Sequence, residues 1–104
     1  MTNPPEHREG RLQLSGDLTA RDVPAIYARS LAWRVAGALP VAVDLAAVTR
    51  ADSSALALLL EWQAWAHGRG AEIEFADPPR ALRTFASLSE VSSLLGWPEE
   101  PLSN

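Results

Sequence analysis

The residues best suited to chemistry are Asp52-Ser53-Ser54, a carboxylate and two hydroxyls set directly before a run of good helix formers. Side chains of this kind cap a helix, because their oxygens accept hydrogen bonds from the amides of the first turn, which have no partner in the helix. The same place carries free amides and the positive end of the helix dipole, so a phosphoryl group on Ser53 or Ser54 would be accommodated there. Capping alone would also account for either serine. Elsewhere the chemistry is thin: His7 and His67 lie far apart in sequence, there is no cysteine, and no glycine-rich phosphate loop is present. Asp44, inside an apolar run, is read as capping a neighbouring amide rather than as a catalytic acid. No nucleophile-base pair, metal-ligand set or cofactor motif emerges, so the chain is expected to be neither an enzyme nor a metal or cofactor binder.

The elements that must hold these serines lie within residues 41–70. Residues 41–45, VAVDL, have the length and β-branched content of a buried strand, and a loop over residues 46–51 leads to the cap. A helix follows over residues 55–67 and stops at Gly68-Arg69-Gly70, where a glycine in the left-handed conformation would close it. On a helical wheel Leu56, Leu59, Leu60 and Gln63 share one side, while Ser54, Leu58, Glu61 and Trp65 fall on the other, with Trp62 at the margin. If the first set packs on a sheet, the second points outward, and an exposed Leu-Trp stripe reads as a protein contact surface. The competing reading is that the first helix or the C-terminal segment covers it.

Around this core, residues 11–15 alternate as a half-buried strand that Gly16-Asp17 should end. A helix opens near Thr19, with Pro24 in its first turn and Val23, Ile26, Leu31 and Val35 at helical spacing, and closes at Gly37. Residues 71–76 alternate as a strand with Ile73 and Phe75 inward. A third helix from Pro79 or Arg80 should bury Leu82, Phe85 and Leu88, and a fourth should run over residues 89–95. The sequence therefore divides into a tail over residues 1–10, one domain over 11–96 and a tail over 97–104. The order of elements predicts an α/β fold, a small mixed β-sheet covered by about four helices, with a parallel central pair.

With 104 residues the chain makes one domain. Thirteen acids against nine bases, all arginine, give a net charge of -4 and no basic cluster, which argues against nucleic-acid binding. The N-terminal residues do not resemble a secretory signal, and the longest apolar run falls far short of the roughly 20 residues that cross a bilayer. A soluble cytoplasmic protein with no direct membrane insertion is expected.

The strand VAVDL, the loop AAVTRADSSA and the helix LALLLEW together resemble the STAS domain, over about residues 11–95. Asp52-Ser53-Ser54-Ala55-Leu56 is similar to the family's Asp-Ser/Thr-Ser/Ala-Gly-Leu, with Ala55 in place of the usual glycine. The resemblance implies a non-catalytic interaction domain. In the anti-sigma-factor antagonists of the family, the residue matching Ser54 is phosphorylated by a partner kinase; in the transporter branch, the residue matching Ser53 sits at the contact with an ATPase. The run ALLLEW and the stretch FASLSEVSSLL look more like the STAS subunit of Mla-type phospholipid ABC transporters. That branch implies an ATPase partner, a place at the inner face of the inner membrane, and a contact surface of Asp52, Ser53, Ser54, Leu58, Glu61, Trp62 and Trp65. The alternative is an anti-sigma-factor antagonist switched at Ser54 by an anti-sigma factor kinase.

Overall fold

The computed structural model describes residues 10–98. Three strands, β1 (Arg11–Leu18), β2 (Ala42–Ala51) and β3 (Glu74–Ala76), form a sheet in the order β1-β2-β3. Both pairings are parallel. Parallel neighbours need crossovers, and two helices supply them: α1 (Val23–Ala36) and α2 (Ser53–His67). A third, α3 (Arg80–Leu88), follows β3, and in place of the fourth helix expected over residues 89–95 there is one 3-10 turn, Ser92–Leu95.

The sheet is covered on one side. Leu12, Leu14 and Leu18 of β1 are buried, whereas the alternate residues Arg11, Gln13, Ser15 and Asp17 are exposed. The register sets Leu12 beside Val43 and Val43 beside Phe75, so the apolar rows align across all three strands into one core face. Ile73 and Phe75 point inward as their alternation predicts, although the strand itself is shorter than residues 71–76.

Two boundaries differ from the sequence reading. Gly16 does not end β1; with φ 78° it forms an irregularity where the register slips, and pairing resumes to Leu18 and Ala51. The loop expected over residues 46–51 is the second half of β2, held extended by that longer β1. At the end of the central helix, the left-handed glycine expected in Gly68-Arg69-Gly70 is Gly70 (φ 71°), while Gly68 is right-handed (φ -62°).

The helices also show a different core face from the one expected. In α1, Ser30 and Trp33 are buried while Leu31 and Val35 are exposed, Val35 to 91%. The aromatic ring at Trp33 and the hydroxyl at Ser30 have partners on α2, and that outweighs the spacing of the aliphatic residues. α3 buries Leu82 and Ala86, with Phe85 half-buried, but leaves Leu88 in solvent.

Trp97, assigned to the tail, belongs to the core. Its side chain is buried, and its indole nitrogen donates to the carbonyl of Phe75 at 2.8 Å. Gln63 acts similarly from α2: it accepts from the amide of Ile73 (2.8 Å) and donates to the carbonyls of Ile73 (3.0 Å) and Leu94 (3.1 Å), fixing the entry to β3 and the 3-10 turn. Residues 1–9 and 99–104, including most of both expected tails, lie outside the described residues.

Candidate protein-interaction site

The C-terminal end of β2 runs straight into α2, and this places Asp52 at the sheet edge with its side chain free to cap. One carboxylate oxygen of Asp52 accepts from the amide of Ser54 at 2.8 Å, and the other accepts from the amide of Ala20 at 3.0 Å. The cap therefore also ties the start of α2 to the loop between β1 and α1. These donors hold the Asp52 carboxyl below its ordinary value, with the Ala20 amide as the largest cause and the Ser54 amide and hydroxyl adding to it. The loop has its own brace: Thr19 donates from its amide (3.2 Å) and hydroxyl (2.8 Å) to Asp22. Thr19 thus shapes the turn before α1 without being the residue at the helix boundary, which is Asp22.

Ser53 is exposed and Ser54 half-buried. Ser54 lies on the rim of a cleft of about 390 Å³ between α1 and α2, which it lines with Val23, Tyr27, Ala57, Leu58 and Glu61. Further along the same two helices a second cleft, of about 370 Å³, is lined by Arg34, Leu39, Ala64, Trp65, Gly68 and Arg69.

The exposed Leu-Trp stripe is not there. Leu58, Trp62 and Trp65 are buried at 2%, 0% and 9% exposure, because α1 covers the face of α2 that the sheet does not. Trp33 packs on Trp62 with ring centroids 4.8 Å apart, and Tyr27 on Trp65 at 5.8 Å. The Trp62 indole donates to the Ser30 hydroxyl at 2.9 Å, which in turn donates to the carbonyl of Tyr27 at 2.7 Å. The Arg34 guanidinium lies over Trp65, 5.1 Å from the ring centroid. A helix apolar on both sides is one buried on both sides. These three residues shape the seam from beneath; truncating Trp65 would report on folding, not on docking.

What remains open on α2 is a narrow line of Ser53, Ala57, Glu61, Ala64 and His67. Glu61 is exposed and accepts from the Trp65 indole at 3.0 Å. Of the predicted contact residues, the structure brings Asp52, Ser53, Ser54 and Glu61 to one accessible strip and removes the other three from it. The α1 residues of the seam, Val23, Tyr27 and Arg34, were missed. The signal was available: in a parallel sheet β1 and β2 end at the same edge, so the start of α1 must lie beside the start of α2.

Other chemistry finds no support among the described residues. Asp44 accepts from the amide of Ala46 at 2.9 Å, the capping role expected of it. No group of three or more His, Asp or Glu stands close enough to hold a metal ion, and no helix is long and apolar enough to cross a membrane. His7 lies outside the described residues.

A one-sided parallel sheet whose central strand feeds an aspartate-capped helix defines a small α/β domain. The family described as "Mlab, STAS domain" matches residues 3–96, and the chain belongs to that STAS family. Among solved structures the chain is similar to the anti-sigma factor antagonist SpoIIAA in its unphosphorylated form, with a TM-score of 0.60 and 19% identity over 72% of this chain and 69% of that one. At that identity the likeness concerns the fold alone. No curated protein matches.

Proposed function

We propose that this chain is a non-catalytic STAS subunit that binds and regulates the ATPase of an Mla-type phospholipid-trafficking ABC transporter, on the cytoplasmic side of the inner membrane. The family match over residues 3–96 carries this reading, since the family is the one described by the Mlab name. The contact begins at the exposed Ser53 and continues along the seam past Ser54 and Glu61. Its supports are the accessibility of that strip and the rigid cap beneath it, held from two sides by Asp52. A preformed surface of this kind spends little entropy on docking. Co-expression with an Mla-type ABC ATPase from the same host tests it: the pair co-purifies, and Ser53→Asp, which puts a charge at the exposed cap, releases the ATPase. Failure of the wild-type chain to bind that ATPase overturns the proposal.

A second reading is an anti-sigma-factor antagonist switched at Ser54. It is favoured by the position of Ser54 on the rim of a cleft, where a phosphoryl group would bring nearly two negative charges beside Asp52 and obstruct any occupant. Under it the partner is an anti-sigma factor kinase, and Ser54→Asp abolishes binding to that kinase while Ser53→Asp has the smaller effect.

A further inference from the structure

The seam between α1 and α2 carries unspent charge of both signs, and its order specifies what can lie there. Glu61 has one protein partner, the neutral Trp65 indole, and no cation among the described residues stands within ion-pair distance of it. At the other end of the seam, Arg34 and Arg69 line the same cleft, neither paired with a carboxylate among the described residues. Arg34 is held over the Trp65 ring, and a Cβ placed on Gly37 would stand 2.9 Å from the Arg69 guanidinium, so both cations are gathered at the C-terminal ends of the two helices. In a chain with a net charge of -4, two such cations in one cleft run against the overall balance. Between the charges the accessible lining is apolar: Tyr27, Ala57, Ala64 and Leu39. From Glu61 to the end of α2 the axial rise is about 10 Å, or about two helical turns.

We infer that the seam receives a partner helix laid along α2, with a Lys or Arg of the partner facing Glu61 and an Asp or Glu of the partner facing Arg34 and Arg69 about two turns further on. Charge complementarity fixes the direction in which that helix lies, and the apolar lining takes its intervening side chains. A second copy of this chain would also match by charge, since an acid-base pair is self-complementary about a two-fold axis. Shape disfavours it: two concave seams cannot fill one another. This inference rests on the ATPase reading and identifies the element of the partner that docks.

The test measures the affinity of the full chain for an Mla-type ABC ATPase subunit from the same host, at low and high salt. Glu61→Gln keeps an acceptor for Trp65 and removes the charge; Arg69→Glu reverses the other end. Each weakens binding by about tenfold or more and flattens its salt dependence, whereas Val35→Ser on the outer face of α1 leaves it unchanged. Circular dichroism confirms that the variants are folded. Unchanged affinity in both charge variants, with Ser53→Asp still releasing the ATPase, overturns the charge register and leaves the proposed function standing. Absence of binding by the wild-type chain overturns both. A dimer of this chain that Arg69→Glu dissociates would overturn the partner helix in favour of a second copy.

Discussion

Asp52 does two jobs with one carboxylate, and each oxygen has its own amide to serve. Its folded-state pKa lies below the reference value of 3.8, so its contribution to stability is fully present above that value and is lost as the pH falls through the lower folded-state value. Asp52→Asn should therefore flatten the acid limb of stability against pH below about 4, read by thermal melts across that range. At neutral pH, Asp52→Ala loses the cap and should lower the melting temperature. Ser92 shows the reverse condition. Its hydroxyl is buried with no partner in the described structure, so Ser92→Ala should be neutral or stabilising in urea unfolding.

At the scale of elements, α2 is the piece everything else is built against, sheet on one side and α1 on the other. The contact with α1 is unusually specific for so small a domain because it is aromatic and hydrogen-bonded at once. Ser30→Ala removes the acceptor of the buried Trp62 indole and should cost about 1–3 kcal/mol, measured by denaturant unfolding. A double-mutant cycle with Trp62→Phe should show the two losses to be strongly non-additive. The existence of the three strands, though not their ends, and the cap and extent of α2 were legible in the sequence because alternation, Asp-Ser-Ser and a run of helix formers are local signals. Which helix covers the second face of α2 was not, because Tyr27, Ser30 and Trp33 announce a partner without naming it. The wheel correctly separated Leu58 and Trp65 from Leu56 and Leu59; the error was to equate a face turned from the sheet with one turned to water.

For the whole molecule, the domain closes one residue past the end of the family match, at Trp97. Trp97→Ala, or a chain ending at Gly96, should lose about 3–5 kcal/mol and lower the melting temperature accordingly. Sequence alone could not place this residue, since a tryptophan beside a proline at the start of a polar stretch reads equally as tail or plug. Its indole has one more effect. The Glu74 amide reaches back to Val41, just before β2, so the Phe75 carbonyl beside it faces away from the sheet, and there the indole occupies it. A stray strand from another molecule thus meets an acceptor already taken, on a border only three residues long. At the β3 border the sheet is thereby guarded against growing by addition of neighbours into fibrous polymers.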